Sequence, residues 1–174
     1  MPETLDVNAV RALSYGMYIV TSHDGDKLNG QIANTVFQTT AEPQQIAVCI
    51  NHLNYTHELI ARSGVFGVSV LDTSADMEFI GRFGFRTGRK EDKLSQVKYK
   101  IGATGVPLVL DHALAVIEAK VVGQMDVGSH TLFMGRIVSS ETIQTGQPMT
   151  YDYYHKELRG RAPKTAPTYV APGR

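Results

Sequence analysis

Apolar and polar positions alternate unevenly along this chain, and the breaks in the pattern mark its elements. Residues 6–13, DVNAVRAL, place Val7, Val10 and Leu13 on one side behind Asp6 as a cap, which predicts a short helix. Residues 15–22, YGMYIVTS, predict a strand. Asp24-Gly25 then signals a turn into a second arm, KLNGQIANTVFQ over 27–38, so that the two form a hairpin. Pro43 ends that arm, and QIAVCI over 45–50 is a continuous apolar run of strand length. Residues 55–64, YTHELIARSG, predict a helix stopped by Gly64. VFGVSVL over 65–71 predicts another strand, and 74–85 a helix with Ser74 as its cap. Residues 86–96, RTGRKEDKLSQ, read as a charged loop. Residues 103–125 predict a turn and then a long strand, to which Leu114, Val116, Ile117, Val121 and Val122 give β-character. A further strand follows over 131–143. The tail from Pro148 holds four prolines, four tyrosines and a basic cluster; it is too irregular for core and too aromatic for a plain linker.

Several strands joined by short turns and interrupted by a few helices predict a mainly β protein, an antiparallel barrel with helical covers. The strand–helix alternation of a doubly wound fold is missing. GRFGFRTG lacks the GxGxxG spacing after a strand, so a nicotinamide would not be held by a Rossmann domain here.

Composition narrows the function classes. A chain of 174 residues is most simply one domain with a real core. Its 17 basic and 17 acidic side chains cancel, which recommends neither nucleic acid nor an anionic membrane as a partner. Cys49 is the only cysteine, so there is no intrachain disulfide and no cysteine cage for a metal. The N-terminus lacks a basic region followed by an apolar one, and no apolar run approaches the roughly 20 residues that span a bilayer. A cytoplasmic protein is expected.

Four stretches carry candidate chemistry. NGQIANTVFQTTAEP, 29–43, is half strand-like, yet its amides and hydroxyls interrupt the apolar alternation. Gly30 permits close backbone approach, while Gln31, Asn34 and Thr35 either meet a polar ligand or bond their own backbone. CINHLNYTHEL, 49–59, ends a strand at Asn51 and His52 and starts a helix near Thr56, where free amides suit a phosphate. An ordinary cap by Asn54 or Thr56 is the plain alternative. GRKEDK, 88–93, is by pattern a solvated loop. In GSHTLFMG, 128–135, His130 stands at a loop-to-strand transition between two glycines, where its ring could face a pocket.

LNGQIANTVFQTT, PQQIAVCIN, FGVSVL and GSHTLFMGRIV, in this order, resemble the flavin reductase-like family of FMN-binding split barrels. The tail PMTYDYYHKELRGRAPKTAPTYV resembles the branch containing flavoredoxins and the flavin domains of high-molecular-weight rubredoxins. The resemblance implies a six-stranded antiparallel Greek-key split barrel over 1–174, with 148–174 a tail packing on the barrel or on a partner subunit. It implies FMN bound near the interface of a homodimer. NADH or NADPH is the implied electron donor, and a rubredoxin-like or other redox protein a possible partner. Electrons would pass from NAD(P)H through FMN to an acceptor; the alternative is a flavoredoxin-like carrier that makes little use of nicotinamide. By the same resemblance Gly30, Gln31, Ala33, Asn34 and Thr35 line the flavin, Asn51, His52 and Thr56 serve its phosphate end, and Lys93, with Lys90 second, reaches the phosphate or ring. His130 would lie by the isoalloxazine and assist hydride or proton transfer. Two departures stand out: His52 replaces a frequent lysine, and Ser129 replaces the usual aspartate before the histidine.

Overall fold

The computed structural model describes residues 6–171; the end of the expected tail, 172–174, and residues 1–5 lie outside the described residues. Helix α1 (Val7–Arg11) is capped by Asp6, whose carboxylate accepts the Asn8 N–H. β1 (Tyr18–Asp24) folds back through a two-residue turn onto β2 (Lys27–Ala33), with Gly25 at φ +60°, where a side chain would be strained. The arm expected over 27–38 does not continue as one strand. It breaks at Asn34–Thr35, and β3 (Val36–Ala41) pairs instead with β4 (Gln44–Asn51). At the break the Thr35 hydroxyl donates to Asn34 Oδ1 at 3.1 Å, and the Thr35 carbonyl accepts the Cys49 N–H at 3.1 Å. These bonds satisfy the corner while the chain changes partners.

α2 (Tyr55–Ser63) ends at Gly64, which adopts φ +69° and donates its N–H to the Ile60 carbonyl. β5 (Val65–Leu71) leads to α3 (Met77–Gly84), capped by Asp76 rather than by the expected Ser74. Asp76 accepts the Phe79 N–H at 2.8 Å, while Ser74 is turned back onto Asp72 in the preceding turn. β6 (Tyr99–Ile101) and β7 (Pro107–Val109) form a small separate pair. β8 (Ala113–Asp126) and β9 (His130–Thr142) make a long hairpin, and α4 (Tyr151–Lys156) follows, capped by Thr150.

The main sheet runs β2-β1-β5-β8-β9-β4-β3, all antiparallel. It is a split barrel with seven strands where six were expected, because the 27–38 arm supplies two. β2 lies at one end of this order and β4 next to the other, yet both line one cleft, so the sheet curls until its ends meet. Its interior packs Val20, Val48, Ile50, Phe66, Val68 and Phe133. Gly135 is needed there: a Cβ would lie 2.6 Å from the Phe66 ring. Ile19, one residue from Val20, faces the opposite side, among Phe79, Ile80 and Phe83 of α3. Burial on both faces explains why β1 shows no apolar–polar alternation.

The tail departs from its irregular reading. Met149 and Tyr154 are core residues beneath α3 and β1, and Tyr154 Oη donates to the Arg161 carbonyl at 3.0 Å. From there residues 163–168 run along the cleft. Among the described residues no helix is long and apolar enough to cross a membrane.

Candidate functional site

The cleft has a volume of about 180 Å³ and lies where β2, the β4–α2 junction, the loop after α3 and the tail converge. Helix α2 presents its N-terminus to it. Asn54 stands at the cap position but makes no side-chain capping bond, which leaves the first-turn amides of Tyr55 and Thr56 without a side-chain partner. Thr56 is fully buried, and its Oγ1 accepts the Asn29 side-chain N–H at 2.8 Å, so its own hydroxyl proton remains to be donated. Two buried acceptors on the β2 wall, Asn29 Oδ1 and Gln31 Oε1, have no hydrogen-bond partner among the described residues. An unsatisfied buried group of this kind costs on the order of 1–3 kcal/mol.

Lys93 closes the opposite side. It is 4% exposed, and its ammonium donates to the carbonyls of Phe83 (3.3 Å) and Arg86 (3.2 Å), at the end of α3. Among the described residues no carboxylate lies within ion-pair distance of it. Burial pushes its pKa down from 10.5 to about 8, an effect Glu91 opposes only in part. A buried cation without a counter-ion is costly, and a bound anion would relieve that cost. The loop that carries it is clamped onto α2. The Gly88 backbone lies against the Asn29 side chain with no room for a Cβ, and Arg89 stacks over the Tyr55 ring at 4.8 Å while pairing with Glu58 at 2.8 Å.

Of the residues expected to hold a flavin, Gln31, Ala33, Asn34, Asn51, Thr56 and Lys93 line this cleft. Asn51 also accepts the Leu53 N–H at 2.9 Å, which shapes the turn into α2. Gly30, Thr35, His52, Lys90 and His130 do not line it. The side of Gly30 where a Cβ would stand is filled by Thr21, Ile19 and Phe83, so packing of β1, β2 and α3 accounts for this glycine. The Thr35 hydroxyl donates to Asn34, which does line the cleft. Lys90 is exposed in a turn, its N–H on the Thr87 carbonyl at 3.1 Å. His52 faces the β8–β9 turn, where His52 and His57 share the Thr131 hydroxyl at 3.1 and 2.8 Å.

His130 is buried one step behind the cleft wall. Its Nε2 lies 3.0 Å from the carbonyl oxygen of Thr165, a residue that does line the cleft. A carbonyl only accepts, so Nε2 carries the hydrogen and Nδ1 accepts the Ser129 hydroxyl at 2.7 Å. Burial lowers the His130 pKa; the Thr165 carbonyl opposes this and nearby His52 adds to it. Serine in the aspartate's place therefore leaves a neutral imidazole of fixed tautomer.

The sequence reading did not pick out Asn29, Tyr55, Arg86 and Gly88 as cleft residues, nor Cys49, which is half buried on the cleft wall. It also left the tail tyrosines undecided. Tyr151 is the one at the cleft; it accepts from Thr168, whose own oxygen accepts the Asn34 side-chain N–H at 3.0 Å.

The donor set suits FMN: amides, a hydroxyl and a buried cation for a phosphate, orphaned acceptors for ligand hydroxyls and N–H groups. Comparisons point the same way. The family described as "Flavin reductase like domain" matches residues 10–160. The chain is 54% identical over 165 residues to a ferric-chelate reductase (NAD(P)H) of Archaeoglobus fulgidus, covering 95% of this chain and 98% of that one. It is 46% identical to the high molecular weight rubredoxin of Moorella thermoacetica, over 95% of this chain and 72% of the relative. The crystal structure of flavoredoxin from Methanosarcina acetivorans shares the fold, with a TM-score of 0.70 at 20% identity, covering 85% of this chain and 78% of the other. The chain belongs to the flavin reductase-like domain family.

Proposed function

We propose that this protein is an FMN-binding oxidoreductase that passes electrons from NADH or NADPH through the bound flavin to an acceptor. The observation that carries the reading is the buried Lys93 ammonium, without a counter-ion, beside the uncapped start of α2 and the orphaned oxygens of Asn29 and Gln31. When bound, FMN supplies the redox chemistry, accepting a hydride and releasing electrons. The Tyr55 and Thr56 amides, the Thr56 hydroxyl and Lys93 would hold its phosphate. Asn29 and Gln31 would accept from its hydroxyl or N–H groups. Pro163, Thr165, Ala166 and Pro167 would cover the cleft and exclude water, and His130 keeps a proton on Nε2 at the covering segment. The names of the relatives support two acceptor classes, a ferric complex and a small iron protein.

A second reading, an FMN carrier with little nicotinamide activity, draws on one observation: His130 Nε2 is already engaged by the Thr165 carbonyl rather than open to a nicotinamide. We also infer a homodimer, since Val10 in α1 and Leu13 just after it are 60% and 61% exposed and a second copy would cover them.

Anaerobic titration of FMN-loaded protein with NADH and then NADPH tests the function. Bleaching of the flavin band is expected. A band that dithionite bleaches and both nicotinamides leave intact would establish the carrier instead, and failure to retain FMN would remove both readings.

A further inference from the structure

The tail carries a charged feature that flavin binding does not use. Over residues 156–164 the sequence KELRGRAPK has four basic side chains and one acidic one, in a chain whose 17 basic and 17 acidic side chains cancel as a whole. All four basic residues are exposed. Lys156 pairs with Asp152 at 3.0 Å, whereas Arg159, Arg161 and Lys164 make no ion pair with any described residue. Their backbone is firmly placed. The Gly160 carbonyl lies 2.8 Å from His155 Nδ1, the Arg161 carbonyl accepts from Tyr154 Oη, and Gly160 packs on the Tyr154 ring too closely for any side chain. Arg159 adopts φ +54°, a region a non-glycine residue seldom occupies, and these ties hold it there.

This segment runs directly into Pro163, Thr165, Ala166 and Pro167, which form one wall of the cleft. Leu53, 79% exposed, stands on the other wall. The cleft wall therefore carries an exposed apolar residue, and the segment leading into it carries three cations without an ion pair among the described residues, the composition of a protein-docking site with an apolar centre and a polar edge. None of the three cations lines the cleft, so they form no pocket for a small phosphate. They are spread along an exposed segment, where charge acts at long range on another charged surface.

Resting on the flavin reading above, we propose that Arg159, Arg161 and Lys164 dock an acidic one-electron carrier protein at the cleft mouth. One two-electron-reduced anionic flavin would give its electrons singly to two oxidised carriers. The products are two reduced carriers, oxidised flavin and the proton released from the flavin.

The test uses the FMN-loaded protein, reduced anaerobically with stoichiometric dithionite and mixed in a stopped flow with either of two acceptors. One is an oxidised rubredoxin of net negative charge; the other is uncharged 1,4-benzoquinone. Converting the three cations together (R159E, R161E, K164E) should slow rubredoxin reduction about tenfold at low ionic strength and leave the quinone rate unchanged. The wild-type rubredoxin rate should fall steeply with salt, and the variant's should not. Lys164→Glu alone should give a smaller loss of the same kind, which guards against a folding defect in the triple variant. A rubredoxin rate indifferent to charge reversal, or falling in step with the quinone rate, would overturn the docking surface while leaving the flavin reading intact. No flavin retained, or no quinone reduced, would sink the flavin reading and the docking surface with it.

Discussion

Replacing Lys93 by methionine separates what the buried charge does to the fold from what it does for a ligand. In the folded chain the ammonium is 4% exposed and its pKa falls from 10.5 to about 8. That drop corresponds to about 3 kcal/mol of destabilisation whenever the group is charged. The sign follows from proton counts: between pH 8 and 10.5 the unfolded chain holds the proton and the folded one has lost it, so the apoprotein gains stability as pH rises through that window. Methionine removes the charge but strips the Phe83 and Arg86 carbonyls of their donor, at about 1–3 kcal/mol each if they stay buried and unpaired. The two effects nearly offset, and the unliganded variant should be about as stable as wild type at pH 7.

Ligand binding is where the substitution should tell. A phosphate is fully ionised above pH 7, since its second pKa is about 6, so any further pH dependence belongs to the protein. The charged form of Lys93 binds the anion. FMN affinity should therefore be full below pH 8 and fall by up to about tenfold per pH unit above it. Fluorescence titration of FMN at pH 7, 8, 9 and 9.5 should show this slope in wild type. The Lys93→Met protein should lack the slope and bind about a hundredfold more weakly at pH 7, the equivalent of about 3 kcal/mol. Equal affinities at pH 7, or a wild-type affinity flat to pH 9.5, would refute the assignment of Lys93 to the anion.

Two further substitutions probe the frame around the site. Glu118 is 1% exposed in β8 and accepts the amides of Ala103 and Thr104, anchoring the 102–105 turn. Glu118→Ala should cost about 3 kcal/mol in urea unfolding and Glu118→Gln about 1, and an alanine variant within 0.5 kcal/mol of wild type would contradict the anchoring role. His130→Ala removes the donor that holds the Thr165 carbonyl, a bond worth about 1 kcal/mol. Trypsin should then cut after Lys164 about fivefold faster, and unchanged digestion would show that the segment is held by other contacts.

What the sequence discloses follows from where each signal resides. QIAVCI and VFGVSVL are legible because their strands are buried on both faces and stay apolar without interruption. β3 is not, since only Val36 and Thr40 are even partly buried in Val36–Ala41, and nothing local distinguishes it from a continuation of β2. Its place is fixed by pairing with β4, which is tertiary information. The tail hides its core residues for a related reason: α4 is six residues long, too short for a period to show, and Tyr154 is buried through contacts with β1 and α3. At the site, Thr56 and Lys93 could be picked out through family resemblance. Asn29 could not, because its importance comes from Gly88 and Thr56, which lie 59 and 27 residues away in sequence. Gly30 stands in the same polar stretch, but Thr21, Ile19 and Phe83 fill the side where a Cβ would stand, a packing demand that is likewise not local in sequence.

The same break that misled the strand assignment explains why the cleft lies where it does. A continuous hairpin arm would have left β2 as a free edge and given the barrel no seam. By turning at Asn34–Thr35, the chain sends β2 and β3 to opposite ends of one sheet, and the curl brings β2 back towards β4. Within the sheet each backbone group finds a partner in a ladder. Along the seam side chains must do that work, and they do it incompletely: Asn29 Oδ1 and Gln31 Oε1 are left without donors and Lys93 without an anion. A barrel that sought only stability would fill such a seam with apolar side chains. A seam that instead gathers acceptors, a helix start and a buried cation is completed by a ligand that brings hydroxyls, N–H groups and a phosphate. Binding such a ligand would then tie the two ends of the sheet together as well as filling the site.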